Sequence, residues 1–249
     1  MPITIGPGIS IGGGISIAAD APLYTALAGS LSFNGSTQYL TTSPGMTLGG
    51  GAFTIEGWFY NTGNFSQRPM IGTDQSNGLS AYISNAETMS MDRYGGGYGP
   101  FYGFSAGTFK TNQWQYIVMN RNANLLETMW VGTFVDTSTL VTCTRATSCG
   151  GGTGVSGGTQ TESQNWGNTN WIGAYYGGKW AGNITNYRVT IGTAVYDSSS
   201  STITAPTAPL TSGANTRYLM LGAAVTTDTS GTQTVTNVGT VTQTATKPF

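Results

Sequence analysis

The densest group of side chains that could bind a ligand lies between residues 91 and 104, in MDRYGGGYGPFYGF. Aromatic residues there are spaced by glycine, and an arginine lies beside them. Aromatic rings present broad apolar faces that can stack on the C–H surfaces of sugars, and tyrosine also provides rigid contact area for protein partners. The residues predicted to contact a glycan or a partner are Arg93, Tyr94, Tyr98, Phe101 and Tyr102. The alternative is that these rings cover the end of the fold or pack in a subunit interface.

Groups that could perform catalysis are sparse. The 249 residues contain no histidine, which is the most common general base near neutral pH and the most common metal ligand. Ser-His-Asp and Cys-His hydrolysis are therefore excluded. Glycoside hydrolysis needs two carboxyl groups close together, but no predicted strand carries two acids at alternating positions. We therefore expect no enzymatic activity, and only an acid pair assembled from distant strands leaves hydrolysis open.

The two cysteines, Cys143 and Cys149, lie close together in a segment rich in threonine, serine and glycine. A disulfide closing this short loop is geometrically possible. Two free thiols are the alternative, because the cysteine count alone does not fix the redox compartment. Without histidine or acidic neighbours the two thiols are a poor metal site, so we predict no metal there.

The overall composition favours an all-β fold. Glycine supplies 38 residues and only 8% of the residues are charged. Glycine, asparagine and serine favour turns, whereas threonine, valine, tyrosine and tryptophan favour pleated strands. A chain of this length can form one sandwich with a substantial core. We therefore predict two antiparallel sheets packed face to face, with almost no helix.

The charge distribution limits the partners. The formal net charge is −1, and the nine basic residues are scattered along the chain. This pattern provides no electrostatic footprint for a phosphate backbone or an anionic lipid, so we expect no nucleic acid partner. No apolar run approaches the roughly 20 residues of a membrane span, and the first residues do not fit a secretory signal. We therefore expect no membrane insertion.

Strand alternation is clearest in FTIEGWFY at residues 53–60. It places Phe53, Ile55 and Phe59 on one face and Glu56 and Trp58 on the other. Both faces carry aromatic side chains, which is typical of a central strand. This segment is therefore predicted to lie inside a sheet rather than at its edge.

Alternation predicts further strands along the chain. In QWQYIVMNR the side chains of Trp114, Tyr116 and Val118 share one face, and we expect Met129 and Val131 to continue that face on the following strand. The side chains predicted to be largely buried are Phe53, Ile55, Trp114, Tyr116, Val118, Ile184, Tyr187 and Val189.

The apolar pattern of NITNYRVTIGTAVY contains a three-residue step from Ile184 to Tyr187. Regular pleating repeats every two residues and cannot produce this step. We therefore predict a β-bulge near Thr185 and Asn186.

Residues 1–28 form a predicted N-terminal arm. ITIGPGISIGGGISIAAD alternates isoleucine with glycine or serine, a period that predicts strand. Glycine interrupts it so often that the arm can bury little apolar surface, and short isolated ribbons are marginal in water. We therefore expect another protein chain to order the arm, and packing along its own domain is the alternative. Residues 29–249 are predicted to form the sandwich.

Five phrases carry a family resemblance, namely LSFNGSTQYLTTSPG, FTIEGWFY, QWQYIVMNR, GNITNYRVTIGTAVY and TNVGTVTQTATKPF. Their order and spacing resemble the laminin-G-like, concanavalin-A-type β-sandwich found in many bacteriophage virion proteins, above all those of marine and cyanobacterial phages. The resemblance implies a jelly-roll sandwich of the lectin/glucanase type, with the closing segment 234–249 paired to the region 31–40. The E-x-D-x-x-E pattern of related β-glucanases is missing from the sequence.

The resemblance also assigns strands and a turn to a second aromatic cluster, NWGNTNWIGAYYGGKW, at residues 165–180. It implies that WIGA is a strand and that GGKWAGN turns into the next strand. Trp171 and the residue after it then point to opposite faces, and we predict Trp171 to be a core residue. The turn is predicted to display Tyr175, Tyr176 and Lys179 on the surface as further glycan or partner contacts.

Many laminin-G-like domains hold Ca²⁺ at one rim. A calcium site needs several oxygen ligands and usually more than one carboxylate. Asp74 and then Asp92 are the best candidates in this sequence, but turn capping explains both residues. We therefore predict no cofactor, with calcium as the alternative.

By resemblance, the predicted function is that of a non-enzymatic phage virion structural protein of the capsid decoration or fibre type. A lectin-like sandwich would be exposed on the particle surface, and the arm would attach to other virion proteins. A homo-oligomer, assembled into the particle in the host cytoplasm, is expected. The alternative is a tail-fibre or receptor-binding adhesin that recognises a host-surface glycan.

Overall fold

The fold is taken from a computed structural model, which describes residues 24–49, 51–64, 68–72, 79–85, 88–93, 101–146, 148–150, 164–165, 170–175 and 178–249. The described residues form 21 strands and no helix, so none of them belongs to a helix that could span a membrane. The strands are β1 (Ser30–Asn34), β2 (Tyr39–Ser43), β3 (Thr47–Gly49), β4 (Phe53–Asn61), β5 (Arg68–Gly72), β6 (Leu79–Asn85), β7 (Thr88–Arg93), β8 (Phe101–Gly103), β9 (Trp114–Arg121), β10 (Glu127–Thr133), β11 (Thr142–Arg145), β12 (Ser148–Gly150), β13 (Gln164–Asn165), β14 (Asn170–Ile172), β15 (Ala174–Tyr175), β16 (Gly178–Lys179), β17 (Ala181–Ile191), β18 (Thr202–Thr204), β19 (Thr216–Met220), β20 (Thr234–Val238) and β21 (Thr242–Thr244).

Nine strands form the first sheet, which we call sheet I. Their order is β18-β11-β10-β9-β4-β17-β1-β21, and β19 also pairs with β17. Strand β4 lies in the middle and forms antiparallel ladders with β9 and with β17. This position confirms the expectation drawn from the two apolar faces of residues 53–60.

Eight strands form the second sheet, sheet II, in the order β12-β8-β7-β6-β5-β14-β2-β20. Its ladders are antiparallel. The short strand β14 lies between β5 and β2, so that Trp171 pairs with Gly72 on one side and with Thr41 on the other. Two small ladders, β3 with β13 and β15 with β16, complete the fold. The predicted antiparallel two-sheet sandwich is confirmed.

An apolar core fills the space between the two sheets. Phe53, Ile55 and Phe59 of β4 share one cluster with Leu40 and Ile172 of sheet II. Burying apolar side chains of this size is the main favourable contribution to folding. All eight side chains predicted to be buried are buried.

A second apolar cluster covers the outer face of sheet I. It contains Trp58, Trp114 and Tyr116 of the central strands together with Tyr24 and Phe249 from the two ends of the described chain. The rings of Tyr24 and Phe249 pack with a centroid distance of 4.6 Å. Sheet I is therefore buried on both faces, which explains the apolar residues on both faces of its strands.

Strand β10 corrects one expectation. Met129 and Val131 lie in the core between the sheets, whereas Trp130 packs in the outer cluster. Trp130 pairs with Val118 and Met129 pairs with Met119, and paired residues share a face. Met129 and Val131 therefore do not continue the face of Val118. Both faces of β10 are apolar, so its pattern alone could not assign them.

A β-bulge interrupts β17, as the three-residue step in its apolar pattern predicted. Thr185 pairs with Trp58 and Arg188 pairs with Glu56, so three steps along β17 match two steps along β4. The extra residue, Asn186, adopts a positive φ of 47°. The bulge keeps apolar side chains on both sides of it in the core between the sheets.

The two ends of the described chain close the sandwich. Strand β21 pairs with β1 and β20 pairs with β2, as the resemblance implied for the closing segment. Residues 24–28 of the predicted arm are described, and Tyr24 and Leu27 are buried in the outer cluster of sheet I. This part of the arm therefore packs on its own domain. Residues 1–23 lie outside the described residues.

The predicted disulfide between Cys143 and Cys149 is not formed. Cys143 is a free, buried thiol in β11 of sheet I, whereas Cys149 belongs to β12 of sheet II. The chain between them crosses from one sheet to the other, which separates the two cysteines. The alternative of a free thiol is therefore correct for Cys143. Burial raises the pKa of this thiol to about 12, so it stays protonated and unreactive at neutral pH.

Candidate functional site

Within the predicted contact segment 91–104, residues 91–93 belong to β7 and residues 101–103 to β8, near one edge of sheet II. Arg93 ends β7, and Phe101 and Tyr102 lie in β8, which pairs with β7 and β12. The structure describes the backbone of these three residues but not their side chains. Tyr94 and Tyr98 lie outside the described residues. The contact role predicted for this segment therefore stays a prediction.

In the described part of the second aromatic cluster, strands β15 and β16 form a small hairpin over the outer face of sheet II. The chain leaves β14 at Gly173, where φ is 73°. Gly72 in β5 has no side chain, and an added Cβ would lie only 2.4 Å from the Cβ of Tyr175. The ring of Tyr175 therefore reaches Tyr82 and stacks on it with a centroid distance of 4.9 Å and an interplanar angle of 7°. Tyr176 lies outside the described residues.

The surface position predicted for Tyr175 is wrong. Only 4% of this residue is exposed, because its ring lies against Tyr82 and its backbone lies against β5. Because Gly72 has no side chain, Tyr175 packs closely against β5. Tyr175 therefore supports the hairpin and does not lie at the surface as predicted.

Trp171 lies on the outer face of sheet II, and the prediction that it belongs to the core is wrong. Its neighbour Ile172 is fully buried between the sheets, so strand alternation turns Trp171 outward, where it is half-buried. Tyr39 in the adjacent strand is turned outward in the same way, because Leu40 points into the core. The two rings lie side by side, with centroids 4.8 Å apart and an interplanar angle of 41°.

Lys179, a predicted contact residue, lies over this ring pair. Its Nζ is 5.1 Å from the ring centroid of Tyr39 and 4.9 Å from that of Trp171, within the range of a cation–π interaction. Nζ also donates to the backbone oxygen of Tyr175 at 3.4 Å. Arg68 of β5 donates from Nη1 to the backbone oxygen of Lys179 at 2.7 Å. We call Tyr39, Trp171 and Lys179 the platform, and Arg68 supports it through the backbone of Lys179.

The platform combines apolar ring surface with one cationic hydrogen-bond donor, the ammonium of Lys179. Its three side chains are half-buried rather than enclosed. Desolvation lowers the pKa of Lys179 and of Arg68 from their ordinary values, because partial burial disfavours the charged form. Rings of this kind can contact the C–H face of a sugar, while N–H groups beside them donate to its oxygen atoms. Tyr39 was not predicted, because its sequence position marks it only as a strand residue.

Among the carboxylates with described side chains, the most deeply buried belongs to Glu56 on the outer face of sheet I. Its Oε2 accepts hydrogen bonds from the hydroxyls of Tyr116 and Tyr196 at 2.5 and 2.6 Å. Its Oε1 accepts from Nε and Nη2 of Arg188 at 2.8 and 2.5 Å. Glu56 is fully buried, and both of its oxygens are engaged. The network ties strands together and offers no carboxylate to a substrate.

The other carboxylates with described side chains are also engaged within the fold. Glu127 is buried 3.6 Å from Arg121. The side chains of Asp136, Asp197 and Asp228 accept hydrogen bonds from backbone N–H groups of their own turns. None of these arrangements places two carboxylates in one cleft, which retaining or inverting glycosidases require.

Of the two calcium candidates, Asp74 lies outside the described residues, and only the backbone of Asp92, in β7, is described. Within the described ranges, no group of three or more metal-ligating side chains comes together. The calcium alternative therefore stays a prediction.

The sandwich and its platform together define an all-β, lectin-like domain. Residues 34–193 match a laminin G family model described as the concanavalin A-like lectin/glucanases superfamily. The match covers more than half of the chain, and the protein belongs to this superfamily. The family resemblance read from the five sequence phrases is confirmed to that extent.

Solved structures also resemble this chain. A candidate carbohydrate binding protein from Bacteroides ovatus aligns with a TM-score of 0.55 and 14% identity, over 88% of this chain and 60% of that chain. Domains LG4-5 of the mouse laminin alpha1 chain align with a TM-score of 0.43 and 12% identity, over 72% of this chain and 46% of that chain. The heptameric SAP-like pentraxin of Limulus polyphemus aligns with a TM-score of 0.41 and 16% identity, over 67% of this chain and 77% of that chain. At these identities the likeness concerns the fold alone, and no curated protein matches the chain.

Proposed function

We propose that the protein is a non-enzymatic bacteriophage virion component, of the capsid decoration or fibre type, whose sandwich is exposed on the particle and binds a host-surface glycan. The observation that carries the glycan-binding part is the partly exposed ring pair of Tyr39 and Trp171 with Lys179 over it. Membership of the lectin/glucanases superfamily supports it. The five sequence phrases, which resemble phage virion proteins, support the location on a particle.

The geometry of the platform suits a shallow carbohydrate contact. Two rings inclined at 41° lie side by side on the outer face of a sheet, where a sugar could contact their edges and exposed surface beside Lys179. The Nζ of Lys179 is close enough to both rings to donate to a hydroxyl of the bound sugar. A single contact of this size binds weakly, but many copies on one particle would add avidity. This geometry favours the adhesive role over a purely structural decoration.

The absence of enzymatic activity is part of the proposal. The sequence has no histidine, and every carboxylate with a described side chain is engaged in the fold. Glycosidase chemistry needs a free acid and a free base or nucleophile beside the scissile bond. The platform supplies two rings and one ammonium instead, which hold a sugar without cleaving it.

Substitution of the ring pair tests the proposal. Trp171→Ala and Tyr39→Ala should each weaken glycan binding about ten-fold, because each removes half of the stacking surface. The matched control is Tyr60→Ala, which removes a half-buried tyrosine beside Trp114 on the outer face of sheet I and should leave binding unchanged. Binding is measured on an array of host-surface polysaccharides and then by calorimetry, with thermal unfolding to verify the fold.

Two outcomes would contradict the glycan-binding proposal. One is that the wild-type protein binds no glycan, and the other is that Trp171→Ala binds as tightly as wild type. Detection of the chain in purified particles by mass spectrometry tests the location separately, and its absence there would overturn the virion role.

A further inference from the structure

The outer face of sheet II continues from the platform towards the edge of the sheet. Trp171 in β14 pairs with Thr41 in β2, and Thr41 pairs with Thr236 in β20, the last strand of the sheet. Directly paired residues share a face, so these three side chains form one row across three strands. Trp171 and Thr41 are half-buried and Thr236 is exposed. The row therefore begins at the platform and ends at the sheet edge.

A second pair of hydroxyl side chains lies beside this row. Ser43 of β2 pairs with Thr234 of β20, and both are exposed. Val235, between the two threonines of β20, is buried in the core, which confirms that its neighbours face outward. On the other side of the row, Tyr39 of the platform pairs with Val238. We call Thr41, Ser43, Thr234 and Thr236 the hydroxyl patch, which contains no charged side chain.

The hydroxyl patch is open to solvent, whereas the second apolar cluster covers the outer face of sheet I. Within the described part of the chain, no residue forms a hydrogen bond with a hydroxyl of the patch. These hydroxyls are therefore hydrated in the free protein. Each can both donate and accept a hydrogen bond, so each can exchange its water for a hydroxyl of a ligand.

The length of the row limits the ligand. Neighbouring strands lie about 4.8 Å apart, so the row extends about 10 Å from the backbone of Trp171 to that of Thr236. One sugar ring against the rings of the platform is too short to reach Thr236. Contact with the platform and with the hydroxyl patch together therefore requires several sugars joined in a chain.

We infer that the platform binds an internal stretch of an uncharged linear polysaccharide, which runs across β14, β2 and β20 onto the hydroxyl patch. This inference rests on the proposed function and adds Thr41 and Thr236 to the binding residues. One sugar contacts the rings of Tyr39 and Trp171, and the following sugars exchange hydrogen bonds with the two threonine hydroxyls. A protein strand added to the edge of β20 would use its backbone instead, and would not need the exposed rings or hydroxyls on the face.

Chain length provides the first measurement. The probes are cellohexaose, mannohexaose and xylohexaose, each compared with its own disaccharide. At least one hexasaccharide should bind about ten-fold more tightly than its disaccharide, because only the longer chain reaches the hydroxyl patch. Hexagalacturonate, a charged linear hexasaccharide, should bind less tightly than that probe. Calorimetry measures each affinity.

Removal of the two hydroxyls provides the second measurement. The double variant Thr41→Val and Thr236→Val keeps β-branched side chains, so the strands should be retained. It should weaken binding of the hexasaccharide about ten-fold and leave binding of the disaccharide unchanged. The matched control is Thr142→Val with Thr204→Val, an exposed pair at the edge of sheet I, which should change neither affinity. Thermal unfolding verifies that both variants are folded.

The outcomes separate the inference from the proposed function. If each hexasaccharide binds no more tightly than its disaccharide, or the double variant binds as wild type does, while Trp171→Ala still weakens binding, the extended contact is overturned and glycan binding stands. If hexagalacturonate binds more tightly than every uncharged hexasaccharide, the polysaccharide class is wrong. If no glycan binds at all, both proposals fail.

A protein partner at the sheet edge has its own signature. Proline is tolerated in edge strands but blocks the addition of another strand. If no hexasaccharide binds and the protein instead self-associates in a way that a folded Thr236→Pro variant abolishes, the edge of β20 is a protein contact and the inference is wrong.

Discussion

At the scale of single residues, Glu56 shows how a charged side chain can serve the fold. Its carboxylate is buried on the outer face of sheet I and accepts hydrogen bonds from Tyr116, Tyr196 and Arg188. Tyr196 lies in the loop after β17, so the network fastens this loop to the sheet. A buried ion pair contributes little net stability when complete, but removal of one partner leaves an uncompensated charge.

Loss of the arginine should therefore be costly. Arg188→Met leaves the carboxylate of Glu56 buried without its counter-charge and should lower the free energy of unfolding by about 3–5 kcal/mol. Arg217→Met is the matched control, because the side chain of Arg217 is exposed and donates to a loop carbonyl, so a change within about 0.5 kcal/mol is expected. Urea denaturation of both variants measures the difference, and equal midpoints would contradict the role given to Arg188.

At the scale of elements, the bulge in β17 and the glycine opposite it in β4, Gly57, depend on each other. The bulge brings Tyr187 over Gly57 of β4, where an added Cβ would lie 3.1 Å from Cα and Cδ2 of Tyr187. The extra residue, Asn186, turns its side chain to the connection after β18, accepting from Leu210 N at 2.7 Å and donating to Ala208 O at 3.3 Å. The bulge thus positions both the core tyrosine and a loop over the outer face.

A larger residue at Gly57 tests this arrangement. Valine is favoured over glycine in strands, so propensity alone predicts that Gly57→Val stabilises the protein. The contact with Tyr187 predicts the opposite, a loss of about 1–3 kcal/mol through overpacking. Gly213→Val is the control, because no atom lies within 4 Å of its added Cβ. An increase in the denaturation midpoint of Gly57→Val would show that the strand has room for a side chain.

At the scale of the whole molecule, two apolar clusters enclose several weakly acidic groups. Desolvation raises the pKa of Tyr116 and Tyr187 well above the ordinary value, and also raises that of Tyr196 and Tyr218. The pKa of Cys143 rises to about 12 for the same reason. These groups keep their protons in the folded protein at a pH at which the unfolded chain loses them.

Stability should therefore fall in alkaline solution. A group whose pKa is higher in the folded state than in the unfolded state stabilises the fold. This contribution is complete below the pKa of the unfolded state and is lost as the pH rises towards the pKa of the folded state. The free energy of unfolding should stay level near pH 8 and then decline, by about 1.4 kcal/mol per pH unit for each proton that only the folded state retains. The decline begins with the thiol of Cys143, whose ordinary pKa is 9.0, so Cys143→Ala should show a shallower slope between about pH 9 and 10. A stability that is constant from pH 8 to 11 would contradict this prediction.

The sequence by itself determined the features that depend on local periodicity. Alternation along residues 53–60 identified a central strand, because a strand buried on both faces carries apolar residues at odd and even positions. The three-residue step in β17 located the bulge for the same reason, since pleating fixes a period of two. Composition alone excluded histidine-dependent catalysis.

The tertiary structure decided everything that depends on which strands become neighbours. The sequence could not show that Ile172 rather than Trp171 enters the core, or that Tyr39 lies beside Trp171, because their strands β2 and β14 are far apart in the chain and meet only through sheet register. It also could not show that Cys143 and Cys149 belong to different sheets. The physical reason is that local pattern fixes the two faces of a strand, whereas the packing of the complete sandwich selects which face is buried and which partner it meets.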